Sequence, residues 1–172
     1  PTIGINGMNE CCLNCLGGSI ATDEGSAFAE RVMRFMRDVL AEFQEQTGNI
    51  YNLEATPAES TAYRFAMLDT RRYPDIITAN QQARLERNAK PYYTNSTHLP
   101  VGFSDDIYEV LRRQDPLQTL YPGGTVLHIF TGDRELSPDA AKHLLRTVTE
   151  TLLLPHLTPS PPSSHSPVPP PL

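Results

Sequence analysis

Asn52-Leu53-Glu54-Ala55-Thr56-Pro57-Ala58-Glu59-Ser60-Thr61 is the stretch on which the fold turns. Residues 50–55 read as a strand, and the chain then enters a helix expected to reach Asp69. Thr56 suits an N-cap, Pro57 suits the first helical turn, and Glu59 stands at the spacing of a capping box. A strand running straight into a helix leaves backbone N–H groups unpaired and aimed outwards. Those donors, the helix dipole and the hydroxyls of Ser60 and Thr61 make a site for phosphate oxygens. Plain capping, with Thr56 and Glu59 satisfying those donors themselves, is the competing reading. The local pattern alone favours it, because capping boxes are common.

Upstream, Ile3 to Asn6 is a short apolar start, and residues 8–16 form a helix stopped by Gly17-Gly18. Ala27, Phe28, Val32, Phe35, Met36, Val39, Leu40 and Phe43 then recur at three- and four-residue steps. Charged residues fall between them, so the spacing predicts a helix with one buried stripe, ending near Thr47-Gly48. Downstream, residues 80–90 read as a polar loop or short exposed helix, and residues 92–99 as extended chain. A helix is expected over 105–113, a strand over 125–130 after Gly123-Gly124, and a helix from Ser137-Pro138-Asp139 to Leu152. Strands alternating with helices imply an α/β arrangement with a parallel sheet.

The 172 residues are about one domain's worth. No run of about 18 apolar residues exists, so no membrane span is expected. The net charge of -6 argues against a nucleic-acid surface, which needs clustered Lys and Arg. A small anion remains possible. The start, Pro1-Thr2-Ile3-Gly4, has neither Met nor the order of a secretory signal, which suggests a fragment. From Pro155 the composition turns to Pro and Ser. Residues 1–156 are therefore expected to fold, and residues 157–172 to form a disordered tail.

Tyr92-Tyr93-Thr94-Asn95-Ser96-Thr97-His98-Leu99-Pro100 places polar groups around one imidazole. His98 could act as acid or base, phosphate partner or donor to substrate. A polar loop with a satisfied histidine is the blander reading and the favoured one locally. Cys11, Cys12 and Cys15 are too clustered for a disulfide framework and fit a reducing cytoplasm. One Cys-x-x-Cys gives half a zinc site, and no His spacing completes it, so small buried apolar residues are the preferred reading. Gly123-Gly124 could let backbone approach a ligand, or simply turn.

Five blocks in order carry a family resemblance: Gly4-Ile5-Asn6-Gly7-Met8-Asn9-Glu10, residues 52–61, Arg72-Tyr73-Pro74-Asp75-Ile76-Ile77, residues 92–101, and Gly123-Gly124-Thr125-Val126-Leu127-His128. Over residues 1–156 the chain resembles the anaerobic (class III) ribonucleoside-triphosphate reductases, which are glycyl radical enzymes. The resemblance implies part, much of the second half, of a ten-stranded α/β barrel. It implies reduction of ribonucleoside triphosphates to 2′-deoxyribonucleoside triphosphates in the cytoplasm. In the family a radical-SAM activase installs the glycyl radical, which generates a cysteine thiyl that removes the ribose 3′ hydrogen. Structural zinc, ATP or dNTP effectors and a homodimer are further family expectations.

Carried over residue by residue, the resemblance makes Thr56, Ala58, Glu59, Ser60 and Thr61 the substrate phosphate loop and reverses the preference for plain capping. Backbone N–H groups of residues 58–61 would matter more than the Glu59 carboxylate, which repels phosphate. Asn95, Ser96 and His98 become neighbours of the substrate pocket. The family's thiyl cysteine falls upstream of Pro1, and its glycyl motif and four-cysteine zinc site fall beyond the matched region. Ser166 stands where the first zinc cysteine belongs. No catalytic residue, cofactor or metal ligand is therefore expected within this chain, and no independent activity. A nucleotide-binding or interaction remnant without catalysis is the alternative.

Overall fold

The computed structural model describes residues 1–130 and 137–160. The order of elements is β1 (Thr2–Gly4), α1 (Met8–Leu16), α2 (Asp23–Thr47), β2 (Asn52–Glu54), α3 (Glu59–Arg72), α4 (Gln81–Arg87), α5 (Ile107–Gln118), β3 (Leu127–Phe130), α6 (Pro138–Thr151) and β4 (Leu157–Ser160). Strands pair in parallel, as the alternation predicts, but in two separate pairs. Thr2, Ile3 and Gly4 stand opposite Asn52, Leu53 and Glu54. Leu127 to Phe130 stand opposite Leu157 to Ser160.

The long helix α2 starts where Thr22 accepts a hydrogen bond from the Gly25 N–H and stops at Gly48 in the left-handed conformation. Its buried line is rotated from the one expected. Ala29 and Met33 are fully buried, with Phe28, Val32, Met36 and Leu40 packed partly against them. Phe35 and Phe43 are exposed. The helix lies on α1 and α5, which together present a narrow apolar surface. Only the residues facing that surface are covered.

Two apolar clusters result. The first joins Ile5, Met8, Cys12, Ile20, Ala29, Met33, Leu53, Leu117, Leu120 and Tyr121. The second joins Leu111, Leu127, Ile129, Leu144 and Val148. Helix α5 belongs to both, through Leu117 and Leu111. It runs beyond the expected 113 to Gln118, with Pro116 inside it. Asp106 caps it, accepting from the N–H groups of Tyr108 and Glu109.

Three expectations are corrected. The helix after β2 begins at Glu59, with Ala58 at the N-cap position and no side-chain cap. Thr56 is not the cap, because residues before it stay extended: Ala55 N–H donates to Gly124 O at 3.1 Å. The Thr56 carbonyl instead accepts from Ala58 N–H at 2.9 Å. Residues 157–160 leave the expected tail and form β4, because Leu157 packs against the second cluster and the backbone pairs with β3. The rest of the tail, including Ser166, lies outside the described residues. Cys12 is buried, but Cys11 and Cys15 are exposed, since only one face of α1 meets the core. Residues 92–99, read as extended chain, make a single antiparallel bridge, Asn6 with Asn95.

Gly123-Gly124 serves the fold. Gly123 N–H donates to Leu53 O at 2.8 Å. A Cβ at Gly123 would lie 2.9 Å from both Leu53 O and Asn52 Cβ, so only glycine lets this backbone lie against β2. Gly123→Ala is expected to destabilise the chain by about 1–3 kcal/mol through overpacking, measured by urea unfolding with an unchanged m-value.

Candidate functional site

β1 and β2 both end, at Gly4 and Glu54, on an open cleft of about 390 Å³. The start of α3 closes its far side, so Thr56, Ala58, Thr61 and Phe65 line it, with Asn6 and Glu54 on the strand side. Gly4 lets Thr56 lie close: a Cβ there would be 2.7 Å from Thr56 Oγ1. Position 65 follows 58 and 61 by the helical steps that keep one face towards the cleft. The first N–H groups of a helix have no intrahelical partner, and no side chain caps those of α3. The cleft thus combines unpaired backbone donors, Thr2, Thr56 and Thr61, and the positive end of a helix dipole.

The sequence-derived residues divide in the structure. Thr56, Ala58 and Thr61 line the cleft. Ser60 is exposed beside them, and the Glu59 side chain lies outside what the structure describes. Asn95 and Ser96 sit behind Thr56. Ser96 Oγ reaches Thr56 O at 3.5 Å and Asn95 Oδ1 at 2.8 Å. Asn6 Nδ2 donates to Ala58 O at 3.3 Å. His98 is not on the cleft wall. Its N–H donates to Asn95 O at 3.0 Å, and its Nε2 is buried without a hydrogen-bond partner. Burial lowers its pKa to about 4, and nearby His128 pulls the same way. A neutral ring at physiological pH is the consequence.

What fixes residues 94–97 was missed in the sequence. Glu10 is buried. Its carboxylate accepts from Thr94 N–H at 2.8 Å, Thr94 Oγ1 at 2.7 Å and Asn9 Nδ2 at 2.8 Å. Gly7 N–H donates to Thr94 O at 2.8 Å and Met8 N–H to Ser96 O at 3.2 Å. From the other side, Tyr121 OH donates to Thr97 Oγ1 at 2.9 Å and Gln114 Nε2 to Thr97 O at 3.1 Å. Gln118 Nε2 supports Gln114 Oε1 at 2.8 Å, and Thr125 Oγ1 donates to Gln118 Oε1. Burial pushes the Tyr121 phenol up to about 12, so it remains a donor. Gln114 and Gln118, one helical turn apart on the buried side of α5 with Leu111 and Leu117, are the signal the sequence offers. Two amides on a helix's buried side need partners.

Among the described residues, no group of three or more His, Cys, Asp or Glu side chains is placed to hold a metal. No helix among them is long and apolar enough to cross a membrane.

A family profile described as anaerobic ribonucleoside-triphosphate reductase matches residues 1–168. The enzyme of that name from Enterobacteria phage T4 is 29% identical over 105 residues, 61% of this chain and 16% of that protein. The one from Escherichia coli is 28% identical over 133 residues, 74% of this chain and 17% of that protein. The chain therefore spans about one sixth of the curated relatives it matches. The crystal structure of the anaerobic ribonucleotide reductase from Thermotoga maritima with citrate in the active site superimposes with a TM-score of 0.68. That match has 18% identity and covers 91% of this chain and 27% of that one. The same enzyme in complex with dATP and CTP gives 0.67 at 20% identity, covering 89% and 24%. The likeness shows that the chain has the fold of part of these α/β barrel enzymes, as the sequence implied.

Two measurements test this geometry. Glu10→Gln presents an NH2 group to one of three donors, and is expected to destabilise by about 1–3 kcal/mol, read from chemical unfolding. For His98 the folded pKa is lowered, so the unfolded chain binds more protons between pH 6.5 and about 4. The stability linked to this ring is complete above pH 6.5 and falls as pH drops through that window. In His98→Gln the stability-versus-pH curve is expected to be shallower there, by about one proton per chain.

Proposed function

The chain belongs to the anaerobic ribonucleoside-triphosphate reductase family, and from that premise we propose that residues 56–61 hold the substrate's phosphates in an enzyme that reduces ribonucleoside triphosphates to deoxyribonucleotides. The observation that carries this reading is the uncapped start of α3 opening onto the cleft between Thr56 and Thr61. Phosphate oxygens accept the N–H groups of residues 59–61, and the helix dipole favours their charge. The Thr56, Ser60 and Thr61 hydroxyls add donors that rotate to suit the ligand.

Glu54 gives the bound nucleotide a direction. Its carboxylate repels phosphate at short range, so the phosphates lie towards α3 and the sugar hydroxyls towards the strand ends. Ser96 lies against the Thr56 carbonyl and Asn95 accepts from Ser96, so both contribute from behind the loop rather than by touching the ligand. His98 also acts from behind that wall. No catalytic residue is assigned within residues 1–172. In the whole enzyme a glycyl radical installed by a radical-SAM activase supplies the hydrogen-abstraction chemistry, and this part binds and orients the substrate. Structural zinc, nucleotide effectors and dimerisation belong to that whole-enzyme proposal.

Replacing Ser60 and Thr61 together by Leu is expected to weaken binding of ribonucleoside triphosphate and of inorganic tripolyphosphate by roughly tenfold or more, with the melting transition retained. Calorimetric titration reads both. Equal affinity in the double variant would remove the phosphate loop from this chain.

A further inference from the structure

Helix α2 meets the rest of the molecule along one line and leaves its other side bare. Phe35 is 67% exposed and Phe43 44% exposed, and residues 41–47 are all exposed. Phe35, Val39 and Phe43 follow one another at four-residue steps, which keeps them on one face. The Phe43 ring rests against Tyr51, with centroids 6.0 Å apart. The side of a helix turned from its buried stripe is ordinarily polar or charged, and here it carries aromatic rings.

The charges beside this stripe are sorted by sign. Arg31 and Arg34 stand beside its first half, Glu42 and Glu45 beside its second, and all four are exposed. At 3.6 residues per turn they fall on the same side of Phe35, away from the buried Ala29 and Met33. The helix itself does not benefit from this order. Glu45 stands in the last turn, which has no basic residue, where the dipole disfavours negative charge. Arg34 pairs with Glu30, but an exposed pair of this kind holds weakly and leaves the guanidinium free to turn.

We propose that α2 is a self-association surface, through which two copies of this chain pair antiparallel about a two-fold axis near residues 38 and 39. The axis sets Val39 against its own copy and Phe35 against Phe43 of the partner subunit. Positions 31 and 45 lie equally far from residue 38, as do positions 34 and 42. Arg31 therefore stands opposite Glu45 of the partner subunit and Arg34 opposite Glu42 of the partner subunit, each twice by symmetry. A parallel pair would bring Arg beside Arg and Glu beside Glu, so the order of charge selects the antiparallel one.

The dimer is weak. One helix pair covers less than the roughly 1,600 Å² of a standard interface, its ion pairs are solvated, and Asp38 meets its own copy beside the axis. No residue of α2 lines the phosphate cleft, so pairing through this face is independent of what the cleft binds.

Sedimentation velocity of the native chain, from about 1 μM to about 1 mM, is expected to show a monomer–dimer equilibrium that weakens as salt screens the flanking charges. Arg31→Glu with Arg34→Glu, and separately Glu42→Arg with Glu45→Arg, should each weaken self-association by about tenfold or more, with the melting transition retained. Mixing the two double variants should restore a dimer, now of one chain of each kind, at least as tight as the parent's. Phe35→Ser, which leaves every charge in place, should also shift the equilibrium to monomer. A parent chain that stays monomeric across the range overturns the proposal. So does a dimer that survives both charge reversals, which would assign association to another surface, and so do double variants that remain monomeric when mixed.

Discussion

A buried carboxylate governs the arrangement of this molecule. Glu10 has little water around it, and such a group is tolerated only when its oxygens are fully engaged. Its three partners come from Asn9 and Thr94, so the start of α1 and residues 94–97 cannot be placed independently. Asn9 is itself held, since its Oδ1 accepts from Ser19 Oγ at 2.9 Å and Ile20 N–H at 3.2 Å. Through Ser96 and Asn6 the same arrangement reaches Thr56 and Ala58. The geometry of the cleft is thus set from the side facing away from it.

Helix α5 provides the matching constraint. Leu111 and Leu117 place it in both apolar clusters, and Gln114 and Gln118 lie on the same buried side. An apolar face interrupted by amides is less favourable than a continuous one unless every amide is paired. Here the Gln114–Gln118–Thr125 chain ends on Thr97 and orders the loop that Glu10 holds from the other side. Loop residues with little regular structure of their own are fixed by two helices that have plenty.

The sequence was legible where local chemistry decides. The ends of α1, the Gly48 stop of α2 and the Ser137 start of α6 follow from glycines and capping side chains, and all appear as read. Periodicity identified α2 but misplaced its buried face. A pattern with apolar residues at 28, 32, 35, 36, 39, 40 and 43 allows more than one stripe, and packing against α1 and α5 selects among them. The start of α3 was misplaced for a related reason. Pairing of residue 55 with the distant Gly124 keeps the chain extended past the point where local propensity would turn it. Leu157 was read with the prolines that follow it, although its partner is a strand some thirty residues earlier. Of the candidate site, the residues on the cleft were visible in one contiguous stretch. Glu10 was not, because it acts on a segment far away in sequence, and Gln114 and Gln118 showed only as two amides on a buried helix side, without the loop they order.

β1 has a consequence of its own. Its three residues are exposed, and among the described residues it pairs on one side only, with β2. The other side presents N–H and C=O groups in extended register. β2, by contrast, is flanked on both sides, by β1 and by the Gly123-Gly124 backbone. The sheet therefore has one finished margin and one open one, and an open margin is a template for another strand. A strand added at that short margin would continue the sheet beside the cleft without altering the helices that shape it.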